Sequence, residues 1–447
     1  MRFIPVLFTL LLLTPTAPLF TQPPATALPQ VYVQTAGKPI RDEPKTTGTI
    51  LIVEADGTDT IVHSSMGIEL RGSSSKRFPK KGYGLELRTA SGEDRQADLL
   101  GLGREEDFVL HGPYSDKSLI RNALAYRLAA NLSVWSPGVR MVELTVNGDY
   151  RGVYLLTEKL KRDPTRIAIA KMEETTTTGD GLTGGYVLKI DKQTGGSAGG
   201  TATFRSRHPD RKTRNPAVTF THHYPKPEKI TPEQRAYIRN YIYRFEEALA
   251  GPDFADPATG YRKYLDVLSF VDFLIMTELA KDVDGYRIST YFHKQRDSAG
   301  GKLRMGPIWD FNIAFGNVDY CDGEGTRGWT YEVNAGCGGK NWPVPFWWRR
   351  LMEDAWFRQQ LVSRWTELRS GALADVALRK EINGLVAELG SAAKRNFERW
   401  PVLGRKIWPN AYVGGSYEEE VEYLRDWLSE RVGWLDQKIA ALELERR

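Results

Sequence analysis

The sequence predicts an α+β protein of two lobes. Period-two alternation and turn signals crowd residues 48–192, and amphipathic helical patterns dominate 231–447. Between them, 193–230 is rich in Gly, Thr, Pro, Arg and His without a period, which reads as a connecting loop region.

Taken in order, residues 1–27 read as a signal peptide: Arg2, an apolar run over 3–13, and Ala25-Thr26-Ala27 as the cleavage site. The mature chain is then secreted or extracytoplasmic, and no later stretch is apolar enough to span a bilayer. Residues 28–47, polar with scattered prolines, read as an extended lead-in. Strands are expected over 49–54, 67–71 and 82–88; the last places Lys81, Tyr83, Leu85 and Leu87 on one face and Lys80, Gly82, Gly84 and Glu86 on the other. A helix is expected over 116–132, opened by Ser115 or Asp116. Asn147-Gly148 is a two-residue hairpin signal between alternating runs. A further strand covers 184–191. Thr231-Pro232 with Gln234 predicts a capped helix start, 264–280 a buried helix, and 289–294 with 303–308 a pair of short strands. From 416 to 443, apolar residues recur every three or four positions behind the capping box Ser416 and Glu419.

Composition narrows the function classes. With 61 Lys+Arg against 56 Asp+Glu, the net charge of +5 permits an anionic partner without requiring one, and no nucleic-acid-binding module is visible. The two cysteines, Cys321 and Cys337, read as a disulfide in an exported chain, worth roughly 3 kcal/mol by loop closure. The six histidines show no metal-ligand spacing, and His222-His223 reads as surface. Trp342, Trp347 and Trp348 read as core before sugar platforms, and no Gly-x-Ser-x-Gly elbow occurs.

Three stretches carry chemistry. In 305–317, Asp310 lies among Trp309, Phe311, Ile313 and Phe315, a run that reads as a buried strand ending in a turn at Gly316. A carboxylate there needs a cation or several donors. Upstream, Asp282-Val283-Asp284-Gly285 places a second acid in a turn. Two acids in separate turns with a strand between them is the layout by which protein kinases orient the attacking hydroxyl and hold the metal. Gly72-Ser73-Ser74-Ser75, followed by Phe78-Pro79-Lys80-Lys81, offers N–H groups, hydroxyls and ammonium groups suited to phosphate, although it is not a Walker loop.

In sum the chain carries RGSSSKRFPKKGYGLELR, PYSDKSLIRNALAYRLA, VELTVNGDYRGVYLLTEKLKRD, GGYVLKIDK, ELAKDVDGYRISTYFHK and MGPIWDFNIAFGN, in that order. This set resembles the CotH-like (spore coat protein H) atypical kinases, from about Gly67 to Asn317, with helices to the end as in longer bacterial members. The resemblance implies a diverged protein-kinase-like fold with a helical C-terminal extension, ATP with Mg2+ or Mn2+, and phosphorylation of Ser or Thr on a protein. It implies that Lys81 neutralises nucleotide phosphates, with Lys80 as the fallback and Ser74 in the phosphate loop. Asp284 would orient the acceptor hydroxyl, and Asp310 would hold the metal with Asn312 and Ser289 nearby. Glu158 would mark a segment touching adenine, and Asn122 lies on the first helix. The family's usual Asn is Asp282 here; it and Asp284 would repel if both faced the metal, raising one pKa, or Asp282 faces solvent instead. No Glu stands on the first helix to hold Lys81. The alternative is a catalytically silent kinase-like binding or scaffold protein of the cell envelope or surface, and a third reading is attachment to a polysaccharide through the aromatic C-terminal half.

Overall fold

Alternating strands close on themselves in the first part of the chain. The computed structural model describes residues 28–57, 59–192, 203–209, 216–337 and 342–444. The expected signal peptide lies outside them, as does part of the expected connecting region. The strands are β1 (Gln30–Gln34), β2 (Thr46–Val53), β3 (Thr60–Arg71), β4 (Gly82–Arg88), a small ladder of β5 (Ala97–Asp98) with β6 (Arg104–Glu105), β7 (Asp107–His111), β8 (Val139–Val146) and β9 (Asp149–Glu158). Seven of them form a closed barrel in the order β1-β2-β3-β4-β7-β9-β8. Val31, Ile50, Ile52, Met66, Ile68, Leu85, Leu87, Leu110, Leu144 and Leu156 fill its interior. Tyr83, Leu85 and Leu87 point inward, as the period predicts.

The lead-in contributes to closure. β1 pairs antiparallel with β2 and parallel with β8, which leaves the barrel no open edge. The β8–β9 hairpin turns at Asn147 and Gly148, with φ of 50° and 80°, as that dipeptide allows.

A second, antiparallel sheet runs β11-β12-β10-β13-β14, from β10 (Tyr186–Ile190), β11 (Thr203–Arg205), β12 (Thr219–Tyr224), β13 (Thr290–Lys294) and β14 (Leu303–Met305). The expected boundary at residue 192 falls inside this sheet, between β10 and β11. Around it lie α1 (Arg121–Ala129), α2 (Gly179–Leu182), α3 (Pro232–Ala250), α4 (Val267–Ala280), α5 (Trp347–Glu353), α6 (Ala355–Arg369), α7 (Asp375–Leu389), α8 (Ala392–Arg399) and α9 (Tyr417–Leu444). The Thr231–Gln234 capping box opens α3, and the Asp266 side chain caps α4. Trp347 and Trp348 are buried among Phe245, Phe270, Phe273 and Phe292. None of the described helices is long and apolar enough to cross a membrane.

Two expectations change. The helix expected from 116 begins at Arg121, because Leu119 adopts φ 65° and Asp116 folds back. The Asp116 carboxylate accepts the Ser118 and Arg121 N–H groups and pairs with the Arg121 guanidinium, so it satisfies the helix start from outside. The run 305–317 is strand only to Met305. Pro307 has no N–H to continue the ladder, and positive φ at Gly306, Asp310, Phe315 and Gly316 makes the rest a loop. Its burial does not alternate. Ile308, Phe311, Ala314 and Phe315 face the main core, while Trp309, Asn312 and Ile313 face a cleft.

The C-terminal helices hold the two bodies together. On α8, Arg395 pairs with Glu143 of the barrel, and Asn396 accepts the Val153 N–H. On α9, Arg431 pairs with buried Glu278 of α4, and the Tyr423 hydroxyl donates to the Gly316 carbonyl.

Candidate active site

A cleft of about 430 Å³ lies between the barrel and the second sheet. Arg71, the Gly72–Ser75 loop, Val109, His111 and Thr157 line its barrel side. Lys189, Asp191, Lys192, His223, Asp284, Ser289, Tyr291, Trp309, Asp310 and Asn312 line the other. Tyr320 and the half-exposed Trp408 stack at its rim.

The turn after α4 places Asp284. Lys281 ends the helix with φ 42°, and the Asp282 N–H returns to the Thr277 carbonyl. A Cβ at Gly285 would come within 2.7 Å of the Thr277 methyl, so the turn needs glycine there. Asp284 pairs with Arg287 at 3.3 Å. Burial raises its carboxyl above the usual carboxylate range and the Asp191 charge adds to this, while Arg287 and Lys192 oppose the shift.

Asp310 arrives from the loop after β14. Its N–H donates to the Tyr126 hydroxyl at 3.3 Å, and the Ser289 hydroxyl lies 3.5 Å from its carboxylate. Asp310 is open to the cleft yet hemmed in by protein, and its carboxyl is raised by desolvation first, then by the charges of Asp284 and Asp191. Among the described residues it makes no ion pair. Ser289, at φ 53°, directs its N–H to Asp191 at 3.4 Å.

Asp282 takes the inward one of the two placements left open. Rather than facing solvent it is 1% exposed, and its carboxylate accepts the Asp284 N–H. Burial, then the neighbouring Asp284, pushes its carboxyl well up. An unpaired buried acid next to a second acid favours the proton-bearing form.

Of the residues singled out by sequence, Asp284, Asp310, Asn312, Ser289 and Ser74 meet at this cleft. Lys81, Lys80 and Glu158 do not line it. The Lys81 ammonium donates to the Lys76 carbonyl. Lys80 is fully buried between Asn396 (2.7 Å) and the ring of Tyr154. Glu158 accepts the Gly138 N–H at 2.7 Å and pairs with Arg166. Its neighbour Thr157 is the part of that strand that reaches the cleft.

Asn122, noted on the first helix, and residues given no role from sequence also line the cleft. Asp191 and Lys192 sit in the quoted GGYVLKIDK motif. Asn122 and Tyr126 stand one helical turn apart on α1, a spacing that puts them on one face. The Asn122 Oδ1 is buried without a hydrogen-bond partner, and so is His111 Nε2. His222 and His223, read as surface, are not: His222 is buried, and His223 packs edge-on to Tyr291 in the cleft with its imidazole pushed down to about 4 by desolvation.

Among the described residues, no three His, Cys, Asp or Glu side chains gather into a complete metal shell. The donor set still suits a hard divalent cation. Asp310, Asn312 and Asp191 present oxygens, and burial chiefly raises the Asp310 and Asp284 carboxyls, with the Asp191 charge adding to both. Mg2+ typically takes one or two carboxylates and completes its shell with phosphate and water oxygens.

A family model for CotH kinase proteins matches residues 68–435. The chain belongs to the CotH kinase family. Curated proteins give no match. The CotH match starts in β3 and ends within α9, so it spans both sides of the cleft and continues well past Asn317, where the resemblance read from sequence stopped. Helices α5–α8 therefore belong to the family unit. Cys321 and Cys337, beyond the Asp310 loop, are bonded as expected, with Cα atoms 4.7 Å apart.

Proposed function

We propose that this CotH-family protein is an exported atypical kinase with a diverged two-lobed kinase-like architecture, transferring the γ-phosphoryl group of ATP to a Ser or Thr hydroxyl of a protein. The convergence of Asp284 and Asp310, from loops on either side of the β13–β14 pair, in a cleft bordered by a glycine-serine loop carries the reading. In this reading the barrel is the nucleotide lobe, and the body built on the second sheet is the acceptor lobe. The Cys321–Cys337 bond favours an oxidising compartment outside the cytoplasm.

Asp284 accepts the proton of the acceptor hydroxyl as its oxygen bonds to the γ-phosphorus and the bond to the β–γ bridging oxygen breaks, releasing ADP. Arg287 holds the Asp284 carboxylate in place. The Ser73–Ser75 N–H and hydroxyl groups supply donors for phosphate oxygens. Asp310 and Asn312 would hold Mg2+ or Mn2+, which when bound neutralises charge on the phosphates. Tyr126 fixes the backbone that carries Asp310.

The test is incubation of purified protein with γ-labelled ATP, Mn2+ and a generic protein acceptor. Label on the acceptor, lost in Asp284→Ala, supports the kinase. Binding of ATP without any transfer leaves the silent, scaffold reading, which the placement of Lys80 and Lys81 away from the cleft favours.

A further inference from the structure

We propose that Arg71, and neither Lys81 nor Lys80, is the cation that receives the nucleotide's phosphates; this rests on reading the cleft as a nucleotide site. Arg71 is the last residue of β3, and the chain turns sharply after it. Gly72 has φ 111°, and a Cβ there would lie 2.0 Å from Ser75 Oγ, so the turn is reserved for glycine. The turn leaves the Arg71 side chain at the mouth of the serine loop, lining the cleft.

Its guanidinium sits 5.0 Å above the Trp309 ring, and Trp309 directly precedes Asp310. Stacking on an indole fixes the plane of the fork without using its N–H groups. Among the described residues, no hydrogen bond or ion pair involves the Arg71 side chain. Its charge is felt by Asp310, Tyr291, His111 and His223, which surround the same space. Lys192 also lines the cleft, but its charge acts on the Asp284 and Asp310 carboxyls, and three other lysines are committed. Lys80 serves Asn396, Lys81 serves the Lys76 carbonyl, and Lys189 pairs with Asp191 at 3.0 Å. Lys81 thereby holds the turn Ser74–Arg77 in shape, a positioning role. A planar, pre-oriented guanidinium with free donors suits two phosphate oxygens better than an ammonium held elsewhere.

Calorimetry of the full chain with ATP, ADP and adenosine, each with Mn2+, tests this. Arg71→Ala is expected to weaken ATP and ADP by about 10–100-fold, the range for losing charge-assisted hydrogen bonds, and to leave adenosine affinity and the melting temperature unchanged. Arg71→Lys should restore part of the loss. Lys81→Ala should act on ATP and adenosine alike. Equal ATP affinity in Arg71→Ala and wild type overturns the assignment of Arg71 alone. So does a parallel loss of ATP and adenosine in Arg71→Ala, which would mark a structural role. If wild type binds none of the three, the nucleotide reading of the cleft falls, and the assignment falls with it.

Discussion

Asp282 and Asp284 are joined by one hydrogen bond, from the Asp284 N–H to Asp282 Oδ1 at 3.2 Å. The inner acid, buried and pushed toward its protonated form, shapes the turn, while the outer one faces the cleft. An amide can replace the inner acid, since it keeps the accepting oxygen. Asp282→Asn should therefore keep turnover within about threefold, whereas Asp284→Asn or Asp284→Ala should cut it about 10²–10⁴-fold with ATP affinity retained. Steady-state kinetics beside calorimetry check both. A large loss in Asp282→Asn beside a small one in Asp284→Asn would exchange the roles.

Asp310 makes the ligand-free protein pH-sensitive. Its folded carboxyl is raised above the ordinary value of 3.8, so the folded state binds the proton more tightly than the unfolded chain. The stability this contributes is complete below 3.8 and is lost as pH rises through the folded value. Asp310→Asn should therefore melt progressively higher than wild type as pH rises from about 4 to 7. Added Mn2+ should raise the wild-type melting temperature and leave Asp310→Asn unmoved. A Mn2+ shift that survives in the variant would remove Asp310 from the cation site.

Asn122 carries a buried acceptor without a partner in the cleft wall. Such a group costs about 1–3 kcal/mol. Asn122→Leu should stabilise the ligand-free protein by about 1 kcal/mol and weaken ATP binding. Chemical denaturation and a titration on the same sample read both; loss of stability with unchanged affinity would make Asn122 a packing residue.

Arg431 and Glu278 form a fully buried pair, and Glu278 also accepts the Thr330 and Tyr331 N–H groups and the Tyr286 hydroxyl. Arg431→Met should cost about 3–5 kcal/mol, because it strands a buried carboxylate. The Glu278→Gln, Arg431→Met double variant should recover part of that. Additive losses in urea denaturation would show that the two residues act independently.

Local patterns were readable without coordinates. Period two in 82–88, the Asn147-Gly148 turn and the Thr231 capping box all rest on interactions within a few residues, and each stands where the pattern puts it. What the tertiary structure decided is where side chains point once a strand ends. Lys80 finds its partner Asn396 at a separation of 316 residues, which no window of sequence contains. The 305–317 run reads as a strand because bulky residues recur at every second position, yet the loop sends Trp309 and Ile313 to the cleft and Phe311 and Phe315 to the core. Asp282 could face either way by sequence, and the packing of α4 and its turn buries it. β1, in a segment of plain polar composition, becomes a barrel strand only because β2 and β8 lie ready on either side to satisfy its backbone.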